Sequence, residues 1–267
     1  MSEASSAPVT VQIVDAVATI TLARPAEMNS LTLAAKLALR DALHAVAADG
    51  AVRCVVLTGS GRAFCVGQDL NEHVRDLTAE PRGALADTVT AHYNPIVTAI
   101  ATMPKPVVAA VNGIAAGAGA SLAFAADIRL VSESAGFNTS FAGIALSSDT
   151  GASWTLPRLV GPTRAMDLLL QPRTVGAAEA LAIGIATAVV ADADFETEVA
   201  ALARRLADGP TLAYASIKRA VAYSAVHDLP SSLEHEASKM ALTGASADHL
   251  TAVQAFLSKQ TPHFEGR

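Results

Sequence analysis

The run from Pro106 to Ala126, PVVAAVNGIAAGAGASLAFAA, carries no charged residue and consists mainly of Ala, Gly and Val. Few structures can house such a run. A lipid-spanning helix needs about 20 residues of larger apolar side chains and no polar break, and this stretch contains Asn112. It reads instead as a buried strand over Pro106–Val111, a glycine-rich turn, and a small-residue helix over Gly117–Ala125. An earlier stretch repeats that order. Arg53–Thr58, RCVVLT, is a continuous apolar run suited to a strand buried on both faces. The loop Gly59–Gln68 then leads to a helix starting near Asp69.

The remaining elements fit an α/β core followed by helices. Val9–Val14 and Val17–Leu22 predict a hairpin about Asp15–Ala16. Thr32 is placed to cap a helix that runs to about Ala48 and is stopped by Gly50. A further helix is predicted from about Gly83 to Met103, with a kink at Pro95. Asp127–Val131 predicts a third strand. From Thr163 onward the pattern is mostly helical, with segments near Ala177–Ala182, Glu196–Ala207, Thr211–Ser224, Ser231–Leu242 and Ala247–Lys259. Residues 1–200 are expected to form the core, and 201–267 a helical region with little core of its own.

Composition narrows the functional classes. Hydrophobic residues make up 51% and charged residues 16% of the 267, enough apolar surface for one sizeable domain. The net charge of −6 argues against a nucleic-acid surface, which needs dense Lys and Arg. Two cysteines are too few for a disulfide framework and fit a reducing cytosol. Met1–Pro8 lacks the apolar stretch of a secretory signal, so a cytoplasmic protein is expected.

Two loops and one acid carry the chemistry. Asn112–Leu122, NGIAAGAGASL, opens a helix whose first N–H groups are unpaired and suit a developing oxyanion. Its glycines, taken alone, point first to close packing of a helix on a strand. The dinucleotide fingerprint is excluded because Leu122 stands where the third glycine belongs, and no Gly-Lys-Ser/Thr follows for a P-loop. In Gly59–Leu70, GSGRAFCVGQDL, the N–H of Gln68 after Gly67 offers a second donor, while Asp69 also suits a helix cap. Asp149, in ALSSDTGASW, is either a turn residue or a carboxyl whose desolvation makes it a proton carrier. Cys65 reads as a buried small residue rather than a nucleophile. His73, His92 and Tyr93 read as surface residues that could line a pocket. No metal-ligand spacing and no serine-hydrolase elbow occurs, so neither a metal nor a cofactor beyond the substrate's own CoA is expected.

Together these segments resemble the crotonase (enoyl-CoA hydratase/isomerase) superfamily over nearly the whole chain. The likeness lies in ITLARPAEMNSLT, VVLTGSGRAFCVGQDL, MPKPVVAAVNGIAAGAGASLAFAADIRL, DTGASWTLPRLVGPTRAMDLLL, AAEALAIGIATAVV and AFLSKQTPHF. GRAFCVGQDLN, YNPIV and GIAAGAGASLA are most similar to the epoxyphenylacetyl-CoA isomerase subgroup of phenylacetate catabolism. The resemblance implies ββα units wound into a superhelix, with C-terminal helices that build homo-trimers, commonly paired into hexamers. It implies an acyl-CoA substrate and a thioester enolate held by the N–H groups of Gln68 and Ala118. It places Arg24, Ala63, Gln68, Asp69 and Leu70 along CoA, and Phe256 and Lys259 toward a neighbouring subunit's CoA. The two hydratase glutamates fall at Ser121 and Phe141, and neither can move a proton as an acid. The isomerases' acid falls at Asp149. The expectation is an isomerase acting on a soluble acyl-CoA, with no nucleic acid or membrane partner. A hydratase and a non-catalytic acyl-CoA-binding protein are the alternatives.

Overall fold

The computed structural model describes residues 7–79 and 87–267. The first residues of the helix predicted from Gly83, and residues 1–6, lie outside the described ones. The chain opens with β1 (Val9–Val14) and β2 (Val17–Leu22), paired antiparallel with Val14 opposite Val17. Asp15 and Ala16 both have positive φ, +49° and +64°, the conformation that lets a two-residue loop follow the twist of its strands.

Three ββα units follow. β3 (Cys54–Gly59), β4 (Ala63–Cys65) and α2 (Leu70–Ala79) form the first, after helix α1 (Leu33–Ala48). β5 (Val107–Val111), β6 (Ile114–Ala116) and α4 (Ala118–Ala125) form the second, after α3 (Asn94–Thr102). β7 (Ile128–Ser132) and β8 (Gly136–Asn138) open the third, closed by α5 (Ala152–Val160) and α6 (Pro162–Leu170). β9 (Val175–Gly176), α7 (Ala177–Ala182) and β10 (Ala188–Val190) complete the sheets. The first strand of each unit enters a six-stranded sheet, ordered β1-β2-β3-β5-β7-β10. The second enters a four-stranded sheet, β4-β6-β8-β9. β3, β5 and β7 run parallel, as do β4, β6 and β8, so each unit advances both sheets by one strand. This is the superhelix that the resemblance implies.

The continuous apolar runs are explained by burial on both faces. Val55, Leu57, Val107, Ala109 and Val111 point to one core, together with α1, α3 and α4. Cys54, Val56, Val108 and Ala110 point to a second, smaller one under α8 (Phe195–Ala207). Every residue of α4 is buried, and its small residues let the helix lie close to β4, where Gly119 meets the Cys65 carbonyl. No helix among the described residues is long and apolar enough to cross a membrane.

The details that differ from expectation have local causes. Thr32 caps α1 by accepting from Ala35 N, as read. Gly50 does not stop it. Asp49 is an extended cap, and the buried Lys105 ammonium bonds the carbonyls of Val46 and Asp49, both at 2.8 Å. Gly59–Gln68 is not wholly a loop, because it contains β4. At the Asn94–Pro95 step, where a kink was expected, a π-helical turn spans Val89–Tyr93 just before α3. Pro95 lacks an N–H and its ring crowds the carbonyl four residues back, and a wider turn relieves both.

The helices α9 (Thr211–Ser224), α10 (Leu229–Gly244) and α11 (Ala247–Leu257) bury few side chains. Ile217, Val221, Leu229, Met240, Phe256 and Leu257 are all exposed. α11 ends two residues before Lys259, whose φ of +53° closes it with Gln260 N bonding Ala255 O at 2.9 Å.

Gly119 tests this packing. A Cβ built there would lie 2.1 Å from the Cys65 carbonyl oxygen, a backbone atom that cannot rotate away. Gly119→Ala should therefore destabilise the chain by at least about 1–3 kcal/mol, the usual cost of overpacking a core. Urea unfolding followed by circular dichroism reads it, and a loss below ~0.5 kcal/mol would contradict the packing described.

Candidate active site

The two glycine-containing loops meet. Gly67 has φ +85°, and a Cβ on it would stand 3.2 Å from Ala118 N and 3.0 Å from Ala116 O. Any larger residue would cover the Ala118 N–H. Gly117, with φ +52° and ψ −125°, occupies a region open to glycine alone and turns the chain from β6 into α4. Of the two uses the sequence allowed for these glycines, Gly119 serves close packing, whereas Gly67 and Gly117 shape the loops.

Backbone pairing leaves two donors over. Leu31 bridges Gln68 in parallel: Leu31 N donates to Gly67 O at 2.7 Å and Asp69 N to Leu31 O at 3.2 Å. That ladder uses the carbonyl before Gln68 and the N–H after it, so the N–H of Gln68 faces the other way. Ala118 is the first residue of α4, and its N–H belongs to the orphan set of a helix start. Among the described residues neither N–H donates to a protein acceptor.

Asp149 sits just before α5, half-buried. Thr150 and Gly151 follow with φ of +51° and +77°, two successive left-handed residues that set the carboxyl's direction. Thr150 Oγ1 donates to Asp149 Oδ1 at 2.8 Å. Burial raises the carboxyl's pKa above the ordinary 3.8, against the opposing effects of the Thr150 bond and the Lys36 charge.

Lys36 is a site residue that the sequence reading missed. Its ammonium is buried beside the first loop, donating to Gln68 Oε1 at 3.1 Å and to Thr88 Oγ1 at 2.6 Å. Burial lowers its pKa, while Glu72, Asp76 and Asp149 pull it back up. Tyr93, read as a surface or pocket-lining residue, is almost wholly buried, and its OH donates to the same Gln68 Oε1 at 2.7 Å. Burial, then the Asp149 charge, raise its pKa well above 10.0. The Thr88 hydroxyl contacts His92 Nδ1 at 3.1 Å. The signal for Lys36 was present: it lies on the apolar stripe Ala35, Leu39, Leu43, Val46 of α1, where a lysine has no reason to be without a partner.

The other expected residues divide into groups. Asp69 is buried and acts as a helix cap, accepting from Glu72 N at 3.1 Å. It also accepts from Ser30 Oγ at 2.8 Å and from both terminal nitrogens of Arg24 at 3.2 Å. Burial alone would raise its pKa, but these bonds outweigh it and leave the carboxyl below its usual range. Arg24 and Asp69 thus hold each other beside Gln68. Ala63 is buried in β4, and Leu70 is exposed at the start of α2. Ser121 is buried with its hydroxyl on Gly117 O at 3.1 Å, and Phe141 is buried and apolar. Phe256 and Lys259 are exposed on and just after α11, apart from this group. A cavity of about 820 Å³ lies across the six-stranded sheet, between β1–β3 and α8, and touches none of Gln68, Ala118 or Asp149. No cluster of three His, Cys, Asp or Glu able to hold a metal occurs among the described residues.

Two meeting loops with free N–H groups, and a desolvated carboxyl whose charge reaches Lys36 and Tyr93, are the parts that enolate chemistry on a thioester would need. The comparisons agree with that chemistry. The profile of the enoyl-CoA hydratase/isomerase family matches residues 12–267, and the chain belongs to that family. It is 45% identical over 257 residues to a Rhodobacter capsulatus protein named "probable enoyl-CoA hydratase", covering 96% of this chain and 97% of that one. It is 41% identical over 251 residues to the 1,2-epoxyphenylacetyl-CoA isomerase of Escherichia coli K12, covering 94% and 95%. The crystal structure of an enoyl-CoA hydratase from Bacillus anthracis superposes with a TM-score of 0.91 at 30% identity, covering 97% of this chain and all of that one.

The cysteines have no part in this chemistry. Burial pushes the Cys54 and Cys65 thiols up to about 12. Neither should react with an aromatic disulfide reagent at pH 8 while the protein is folded, and both should react after denaturation. Fast labelling of the native protein would refute the burial of β3 and β4.

Proposed function

We propose that the protein is an enoyl-CoA isomerase of the epoxyphenylacetyl-CoA type, with Asp149 as its proton carrier. The observation that carries this reading is the carboxyl inventory. Asp149 is half-buried with a raised pKa, and its charge reaches Lys36 and Tyr93, which both bond the Gln68 side chain. The two positions matching the hydratase glutamates hold a hydrogen-bonded serine and a phenylalanine. Adding water asks for one group to activate it and another to protonate carbon. Moving a double bond asks for a single base. The Asp149 carboxylate takes a proton from the carbon next to the thioester. The electron pair moves onto the thioester oxygen, held by the Gln68 and Ala118 N–H groups, and the same carboxyl returns the proton two carbons further on. The 41% identity to an epoxyphenylacetyl-CoA isomerase supports this choice. The 45% identity to a protein named as a hydratase favours the second reading, water addition to a 2-enoyl-CoA.

Asp149→Asn decides between them. It keeps size but cannot cycle a proton, so isomerase turnover should fall by roughly 10²–10⁴-fold while acyl-CoA binding persists. The wild-type kcat/KM should rise with pH through the raised pKa of Asp149, and that acid limb should vanish in the variant. A folded carboxyl with a raised pKa costs stability as pH climbs past its ordinary value. The variant should accordingly unfold no more easily than wild type at pH 7. Near-full activity in Asp149→Asn, or a wild type that hydrates short enoyl-CoAs and moves no double bond, would end the isomerase reading.

The same proposal assigns α9–α11 to a trimer interface, because their apolar side chains are exposed in the single chain. Phe256 and Lys259 then reach a neighbour's CoA, with the lysine charge on its phosphates. Light scattering should give a trimer or hexamer. Lys259→Ala should raise KM for CoA thioesters several-fold with kcat unchanged. A stable monomer at micromolar concentration would contradict the first expectation, and an unchanged KM the second.

A further inference from the structure

The side chain of Gln68 has a task that its backbone does not account for. Its Oε1 receives two donors, Tyr93 Oη at 2.7 Å and Lys36 Nζ at 3.1 Å. The ammonium fixes which way the amide points, since it has no lone pair and only an oxygen can face it. The NH₂ therefore faces away from the buried pair. It donates to nothing among the described residues, and it is not a buried unpaired atom, so it opens onto accessible space. Lys36 and Tyr93, which hold the carboxamide, both feel the Asp149 charge, so the carboxyl lies on the same side of the molecule as the amide. Holding an ammonium in a nearly inaccessible place is costly, and two buried donors converge on one amide oxygen. Such an expense is understandable if the amide's other end has to be aimed.

We propose that the Gln68 carboxamide selects acyl groups carrying a hydrogen-bond-accepting oxygen within the first few carbons of the thioester, such as a ring ether or epoxide. Lys36 and Tyr93 are the positioning residues that aim it. The inference rests on the reading that the acyl thioester lies between Gln68, Ala118 and Asp149, and it adds the side chain that recognises the acyl oxygen and the two residues that aim it. With the thioester oxygen on the Gln68 N–H, the reach of the same residue's side chain restricts the second oxygen to the near end of the acyl chain. A purely hydrocarbon acyl group would leave the amide N–H groups desolvated and unpaired, which a selective site penalises.

Equilibrium binding tests this without turnover. The probes are cyclohexylacetyl-CoA and both enantiomers of tetrahydropyran-2-ylacetyl-CoA, saturated thioesters that differ by one ring CH₂ replaced by oxygen and cannot be isomerised. Calorimetric titration of the wild type should show one ether enantiomer binding about two- to tenfold tighter than the hydrocarbon, the worth of one neutral hydrogen bond. In Gln68→Met the preference should disappear or reverse. In Tyr93→Phe, which loosens the aim and leaves the amide, it should shrink. Equal binding of the probes by wild type overturns the proposal without any variant, as does a preference that survives in folded Gln68→Met. Since no proton moves, a failed isomerase reading leaves the ratio intact. If neither probe binds, both the proposal and the acyl-CoA site fall together.

Discussion

The structure turns on how closely two stretches of backbone approach each other. The Cα of Gly119 lies so near β4 that any Cβ would enter the Cys65 carbonyl, and two residues further along that strand's loop Gly67 faces the N–H of Ala118. Both contacts are between backbones, so neither survives a side chain. The ββα order produces this meeting by topology. β4 and β6 are parallel neighbours in the small sheet, and each is followed by its loop and helix on the same side. The two loops that supply the free N–H groups are thus neighbours because their strands are.

Around that backbone frame the side chains place charge where a chain would ordinarily avoid it. Lys36 sits on the buried face of α1, and Asp149 is aimed by two left-handed residues. Each alone would be a liability in a low-dielectric interior. Together they offset each other: the lysine lowers the cost of ionising Asp149, and the carboxyl helps keep the ammonium charged. Both remain shifted toward their neutral forms, because burial outweighs their mutual attraction. Arg24 and Asp69 show the contrast. Their direct contact, with Ser30 and the Glu72 N–H, keeps Asp69 ionised and fixes the turn into α2.

What could be read from the sequence follows from which interactions are local. The hairpin about Asp15–Ala16, the cap at Thr32 and the helices Ala177–Ala182 and Thr211–Ser224 depend on neighbours within a few residues, and they stand where they were expected. β4, β6 and β8 have three residues each. They are strands only because partners from other units lie beside them, so inside a glycine-rich loop they leave no periodic signal. α1 ends at Ala48 as expected, but what satisfies its end was not legible for the same reason: the carbonyls of Val46 and Asp49 accept from Lys105, more than fifty residues away. At the site, Asp149 stood out as a polar break in apolar sequence. Lys36 was equally visible as a charge on an apolar stripe, but it was overlooked because its partners, Gln68 and Thr88, come from distant segments.

The division of labour between backbone and side chain bears on how such a scaffold acquires chemistry. A pair of N–H donors places no demand on the side chains that carry it, so the Ala118 side chain is free to vary, while that of Gln68 is available for a second task. A proton-moving group has no such freedom, and on the proposed reading it is Asp149, just before α5, instead of a residue at the positions of Ser121 in α4 or Phe141 after β8. Shifting one carboxyl between these places changes which carbon of a bound acyl group it can reach, while the thioester oxygen stays fixed on the same two donors. On that reading the reaction is set by which of these positions bears the acid. On the same reading the acyl group is set by the remaining side chains, among them the Gln68 amide, whose oxygen accepts from both Lys36 and Tyr93.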